Sequence, residues 1–471
     1  MRLSKHILHQ VLLRTAMVAV SLVLVVVVGV GSSLSHTAPA QPYLNTTGQT
    51  LKPVSDQGTL VSEFDVNGMK LLVKRRPGSQ TVATGLFIRG GSLNINAENA
   101  GIETLMLDLV SEASQNFPRE KLRTELASMG SSITYGINSD YSALTLASTR
   151  GNFDRSWEMF ADVAIRPSFA ADDFARVKSR IITGLQGQDD VPDSLLQEVQ
   201  ARVTYVGHPY LNDTHGTVES VGRITLEDVK RYHQQIMQSS RLVMVIVGDL
   251  DPQQLEKKVA ASFGKLTRGN YQASPIPQFS FTSPAVDVTS RQLPTNYVQG
   301  IFAAPSLTSP DIYAMRIASS ILRDRVFYEV RVKRNLSYAP NAFLGSQGAN
   351  TGGIYVTAVD ANQAVKVMLN EISRLQHEPI KSDDIKGVAQ QYLTEYYLGQ
   401  ETNAAQAGEL AMYELIGGGW RNSLTYIDRL RAVTPEDVQR VSKTYMRNLH
   451  FVVIGDPNRV DKAIFTAQTG G

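Results

Sequence analysis

Two unbroken apolar runs, Leu242 to Val247 and Phe451 to Ile454, each follow an amphipathic helical pattern and each end in Gly-Asp. Short β-branched runs of this kind read as buried strands. Before the first stands Ile224-Thr225-Leu226-Glu227-Asp228-Val229; before the second stands Val433-Thr434-Pro435-Glu436-Asp437-Val438. In both, a threonine is placed to cap a helix, and acids occupy the first turn, where the helix dipole favours negative charge. Earlier in each half, Gly85-Leu86-Phe87 answers Gly300-Ile301-Phe302, and Asp172-Asp173-Phe174 answers Asp383-Asp384-Ile385. Matches in the same order at one offset of about 210 residues make the chain a tandem of two homologous units. The pattern in each half predicts strands, a helix, strands, two or three helices and a last strand. That is an α+β lobe: a mainly antiparallel sheet with helices covering one face. Val61 to Arg75 predicts a hairpin turning at Asn67-Gly68. Pro275, Pro277, Pro284 and Pro294 mark an extended connection between the halves. The expected boundaries are a first lobe over 58–268, a Pro-rich linker over 269–291 and a second lobe over 292–465.

The N-terminus departs from this pattern. A short basic stretch with Arg2, Lys5 and Arg14 precedes the apolar Ala16 to Val28, and a polar segment containing Ala38-Pro39-Ala40 follows. This layout suits a secretory signal over 1–40, with a polar leader over 41–57. Thr15 to Gly31 is also long enough for an uncleaved anchor at the short limit. Either reading puts the rest of the chain on the outer side of a membrane, periplasmic or otherwise extracytoplasmic, with the anchor reading adding a membrane tether.

Composition narrows the chemistry. At 471 residues the chain exceeds one compact core, and its formal net charge of +2 excludes a strongly basic nucleic-acid surface. There is no cysteine, which removes disulfides, thiolate metal sites and a cysteine nucleophile together. No Gly-x-Ser-x-Gly elbow is present, and Gly417-Gly418-Gly419-Trp420 lacks the Lys-Ser/Thr of a phosphate loop, so it reads as a helix-ending turn. Gly345 to Gly353 reads as a flexible turn region.

Gly207-His208-Pro209-Tyr210, Gly216 to Ser220, Thr225 to Arg231 and Val245 to Asp249, together with Arg325 to Tyr338 in the second half, resemble the repeat of the pitrilysin (insulinase) zinc peptidases. The resemblance covers nearly all of the chain after residue 58. It implies two similar lobes facing each other across a chamber that holds unfolded peptide segments.

The family's catalytic motif is an inverted His-x-x-Glu-His on a helix, two ligands and a general base on one face. Here the ligand positions fall on Thr104 and Asp108 and the base position on Leu107. The family's distal Glu ligand would fall near Ile181 to Gln186, where no acid stands. No metal or other cofactor is therefore expected. His208 and His215, in a Pro/Gly/Asn/Asp loop, read as turn or packing residues, and Glu103 and Asp108 as solvated or hydrogen-bonded helix residues that do not share a face. What the resemblance retains is Arg331 and Tyr338, seven residues apart. In the family this pair reaches from the second lobe toward the peptide carbonyl, chemistry suited to a guanidinium fork and a phenol. The competing reading makes Arg331 one of four basic residues on a solvated helix face between Arg325 and Arg334.

Ligands lost and pair kept imply a substrate-binding chain that complements a zinc-bearing partner subunit in a heterodimer. The alternative is a structural or assembly protein of an envelope or respiratory complex. An independent hydrolase has no support in the sequence.

Overall fold

A computed structural model describes residues 60–188 and 190–467, together with Gly58. The expected signal or anchor and the polar leader lie outside these residues. Among the described residues, no helix is long and apolar enough to cross a membrane.

Two sheets form the framework. The first runs β1 (Val61–Val66), β2 (Met69–Arg75), β6 (Leu242–Gly248), β3 (Thr81–Arg89), β5 (Tyr141–Thr149) and β4 (Ser132–Ile137) from edge to edge. The second runs β7 (Ala285–Ser290), β11 (His450–Gly455), β8 (Asn296–Ala304), β10 (Asn350–Ala358) and β9 (Asn341–Leu344). Apart from β1, the two orders correspond strand for strand, as the duplication requires. One parallel pair stands in each, β2 with β6 and β7 with β11, and the remaining pairs are antiparallel. Strand β7 lies within the segment expected as linker, so the second sheet begins at Ala285 and the irregular connection ends just before it.

Local chemistry explains the elements. Asn67 and Gly68 both take positive φ (55° and 88°), the tight hairpin turn foreseen between β1 and β2. Eight helices matter for the argument: α1 (Ile102–Val110), α2 (Ala171–Gln186), α3 (Pro192–Thr204), α4 (Leu226–Ile236), α5 (Ile312–Val326), α6 (Ser382–Gly399), α7 (Asn403–Ile416) and α8 (Pro435–Tyr445). At the start of α4, the Thr225 hydroxyl accepts from the Asp228 amide at 3.2 Å while the Asp228 carboxylate accepts from the Thr225 amide at 2.9 Å. Thr434 and Asp437 make the same reciprocal cap on α8. Helix α7 ends at Ile416 against Gly417-Gly418-Gly419, with positive φ at Gly418 and Gly419.

The lobes are joined by an exchange. In β6, Leu242, Met244 and Ile246 point into the first lobe's own helical core, while Val243, Val245 and Val247 point the other way. The odd-numbered set packs against Ala407, Leu410 and Ala411 of α7 and against Trp420, all from the second half. The second sheet repeats this. Phe451 and Val453 of β11 face their own core, and Val452 and Ile454 pack against Leu195, Leu196 and Val199 of α3, from the first half. Helices α3 and α7 are the same element of the two repeats, so each lobe lends the other the cover for its second face. Polar contacts seal both seams: the Gln200 side chain donates to the His450 carbonyl at 3.1 Å, and Asn403 donates to the Thr81 carbonyl at 2.6 Å.

Neither lobe can then unfold alone without exposing an apolar face of the other. We expect a single cooperative transition by differential scanning calorimetry. Leu196→Ala, at a fully buried position in this seam, should lower that transition as a whole, at a cost of about 2–5 kcal/mol. Two resolved transitions, only one of them moved, would contradict the exchange.

Candidate functional site

Helix α1 starts at Gly101, whose φ of 89° is left-handed and where a Cβ would stand 2.6 Å from Val221 Cγ2 and 2.8 Å from the His215 carbonyl oxygen. Only glycine lets the loop Asp213–Gly216 close over the helix start. Every residue of α1 is buried. Thr104, at the first ligand position, donates its hydroxyl to the Thr214 carbonyl at 2.6 Å. Leu107, at the base position, is 2% exposed and part of the first lobe's core. Asp108, at the second ligand position, is 7% exposed and pairs with Arg180 of α2 at 2.7 Å.

That ion pair belongs to a larger node. Glu112, one turn beyond Asp108, is buried and receives Arg123 at 2.9 Å, Arg176 at 3.3 Å and Arg180 at 3.4 Å. Tyr135 of β4 leans on Asp108, and its phenol is pushed well above its ordinary range, first by burial and then by the Asp108 charge. Arg180, the residue just before the segment where the distal ligand was expected, faces α1. At Gly184, one turn on, an added Cβ would meet nothing within 4 Å. A hydroxyl engaged with a carbonyl, a leucine and a carboxylate engaged with a guanidinium do not fit zinc, whose ligands are thiolate, imidazole or free carboxylate. Among the described residues, no group of three or more His, Cys, Asp or Glu could hold a metal ion.

His208 and His215 make turn and packing contacts. His208 bonds the Pro277 carbonyl at 2.8 Å and accepts from the Tyr210 amide at 3.1 Å; His215 pairs with its neighbour Asp213 at 3.1 Å. Glu103 is not solvated. It is wholly buried, accepts from the Tyr232 hydroxyl at 2.5 Å and the Asn94 amide at 3.3 Å, and has one oxygen without a hydrogen bond. Burial pushes its carboxyl up from the ordinary value, against the pull of these donors.

The second candidate is open to solvent. Arg331 stands next to last in the π-helical turn Phe327–Val332 that continues α5. Its guanidinium donates to the Tyr338 carbonyl at 2.9 Å and lies 5.1 Å from the Phe327 ring and 5.6 Å from the Tyr338 ring. Tyr338 is 81% exposed. The neighbouring basic residues are not equivalent to Arg331. Lys333 and Arg334 both pair with Glu329, and Arg325 has a buried nitrogen. Arg331 has no carboxylate partner among the described residues, and two rings and a carbonyl hold it in place. The structure thus brings Arg331 and Tyr338 together. The Arg180–Asp108–Glu112 node was not foreseen, although the i,i+4 spacings of Asp108 with Glu112 and of Arg176 with Arg180 were visible as opposite charges.

The expected flexible turn at Gly345 to Gly353 is instead seated at the lobe boundary. Ala349 and Asn350 are fully buried, and the amides of Gly348 and Ala349 donate to Asp140 and Tyr210 of the first lobe.

Comparison with known proteins places two family matches along the chain. Insulinase (Peptidase family M16) matches residues 70–218, and the Peptidase M16 inactive domain matches residues 223–392. The beta subunit of the mitochondrial-processing peptidase of Saccharomyces cerevisiae is 19% identical over 452 residues, 90% of this chain and 97% of that one. Subunit 1 of the mitochondrial cytochrome b-c1 complex of Bos taurus is 23% identical over 280 residues, 59% of this chain and 57% of the bovine one. The crystal structure of a peptidase M16 inactive domain from Pseudomonas fluorescens superposes with a TM-score of 0.78 at 18% identity, covering 84% of this chain and 98% of that one.

Glu103 gives a test of the buried network. Its folded pKa is raised, so the protonated acid stabilises the fold at low pH, and that contribution is lost as pH rises through the raised value. Glu103→Gln keeps an acceptor for Tyr232 and never ionises. Its melting temperature should exceed the parent's at neutral pH, with the difference shrinking toward pH 4. A pH-independent difference would show that Glu103 does not titrate in this way.

Proposed function

Because the chain belongs to the insulinase family, peptidase family M16, we propose that it is a non-catalytic member that binds extended peptide segments and completes a zinc-bearing partner subunit. One contrast carries this reading. The catalytic positions of α1 are committed to structural bonds, while Arg331 stands exposed, held and without an acidic partner. A guanidinium fixed between two rings has lost little freedom still to lose, so it suits a peptide carbonyl or carboxylate arriving from solvent. Tyr338 adds a flat apolar face beside it. An extended segment could also pair with the unpaired edge of β4, the strand that carries Tyr135, since open sheet edges accept added strands.

A second reading rests on the similarity to a cytochrome b-c1 complex subunit. In it the chain is a structural component of a membrane-associated assembly, and the exposed pair is a contact surface without a peptide. Both readings keep the export reading of the first 40 residues, which puts the chain at the outer face of a membrane. Fractionation that finds the full-length chain in the cytosol excludes that location.

Two measurements test the main reading. Elemental analysis of the purified chain should find far less than one zinc per chain. Thr104→His, Leu107→Glu and Asp108→His combined should not restore it, because Gly184 brings no acid and Arg180 stays opposite. Close to one tightly held zinc in the parent would refute the non-catalytic assignment.

The second concerns the pair. A zinc-bearing partner isolated with the native chain should cleave peptides slowly alone and faster with this chain present. Arg331→Ala and Tyr338→Phe should each cut that turnover about a hundred- to thousandfold, the typical effect of removing one fixed donor to developing charge. Assembly and melting temperature should stay near the parent's, with Lys333→Ala as the charge control. If Arg331→Ala and Lys333→Ala behave alike, the structural reading is the better one.

A further inference from the structure

The two sheets end in equivalent hairpins, β4–β5 in the first lobe and β9–β10 in the second, and the tips of these hairpins meet. The β4–β5 turn is held by Asn138, whose side-chain oxygen accepts from the Asp140 amide at 2.8 Å and the Tyr141 amide at 3.0 Å. This turn aims the Asp140 carboxylate at the other lobe. One carboxylate oxygen accepts a short hydrogen bond from the Tyr210 hydroxyl, and the other accepts from the Gly348 amide at 3.1 Å. Tyr210 in turn accepts from the Ala349 amide at 3.0 Å. The Gln347 side chain reaches the Ser139 hydroxyl at 3.4 Å, and Gln278 donates to the Gly348 carbonyl at 3.0 Å. Asp140 and Tyr210 are 7% and 4% exposed. The approach is too close for a side chain at position 348: a Cβ there would stand 2.9 Å from Asp140 Oδ1 and 2.6 Å from Ile276 Cδ1.

We propose that Asp140 and Tyr210 are positioning residues for peptide binding. They clamp the β9–β10 turn to the β4–β5 turn and so fix the segment carrying Tyr338 relative to the open edge of β4. The chain order makes the link. Tyr338 leads within three residues into edge strand β9, and β9 leads directly into the clamped turn. The two buried side chains of the first lobe bond each other and together accept two backbone amides from the second lobe, so losing one member leaves others buried without a partner. The inference rests on the peptide-binding reading above.

The test compares the parent with Tyr210→Phe, which removes only the hydroxyl, and with Gly348→Ala, which disturbs the clamp from the second lobe. Hydrogen exchange at Gly348 and Ala349 reads the clamp itself. Anisotropy of fluorescein-labelled, reduced and carboxymethylated lactalbumin, an unfolded chain, reads peptide binding. In both variants exchange at the two amides should speed up at least about tenfold, and affinity should fall at least about threefold at a temperature where circular dichroism matches the parent. Unchanged exchange overturns the clamp, and faster exchange with unaltered affinity overturns its positioning role. A parent that does not bind the labelled chain overturns the peptide-binding reading itself.

Discussion

Strands β6 and β11 are apolar on both faces, and the architecture follows from the need to cover both. Each buries alternate residues into its own lobe's helices and the intervening residues beneath a helix of the other lobe. Burying a valine or isoleucine side chain is worth about 1.5–3 kcal/mol, so exposing one of these faces would consume a large part of the stability of an ordinary domain. The exchange of α3 and α7 is therefore a condition of folding as well as a contact between finished domains. It also sets where everything else can stand. With the two lobes locked through exchanged helices, the hairpin tips of β4–β5 and β9–β10 come within hydrogen-bond reach, and the Arg331–Tyr338 segment is carried by a lobe whose placement is fixed.

Within this frame, helix α1 is a wholly buried structural element. It packs against α2, and the positions that face each other across that contact carry polar groups. They satisfy one another: Asp108 and Glu112 gather guanidinium groups from Arg123, Arg176 and Arg180. A buried carboxylate needs compensation from a metal, from hydrogen bonds or from an opposite charge. Arginines supply it here, which is why two buried acids are tolerated at and just beyond the end of the helix. The exposed end of the second lobe shows the opposite economy. Glu329 neutralises Lys333 and Arg334, while Arg331 is oriented by rings and a carbonyl that do not cancel its charge.

Much of this was legible in order. The paired Gly-Asp strand ends, the threonine caps at Thr225 and Thr434 and the Asn67-Gly68 turn are local features, decided by neighbours within one or two helical turns, and they stand as read. The absence of His and Glu at Thr104, Leu107 and Asp108 is also a statement about residue type. Of the two readings of Glu103, solvated or hydrogen-bonded, the hydrogen-bonded one holds; the burial of Glu103 and the clamping of Gly345 to Gly353 went unread for one reason. Burial by a distant segment cannot be seen in a local pattern, and a glycine-rich turn looks the same whether it is free or clamped.

The sequence by itself determined the duplication, the period-2 and helical elements, the residue types at Thr104, Leu107 and Asp108 and the seven-residue spacing of Arg331 and Tyr338. It also determined that β6 and β11 needed cover on both faces, because an unbroken apolar run leaves no polar side for water. What provides that cover was decided only in three dimensions, as were the pairing of Asp108 with Arg180 and of Asp140 with Tyr210 and Gly348. Periodicity records that a face is apolar or a charge is placed, because those properties belong to single residues. The partner belongs to the folded chain, where residues two hundred positions apart reach van der Waals or hydrogen-bond distance, and no short-range pattern carries that information.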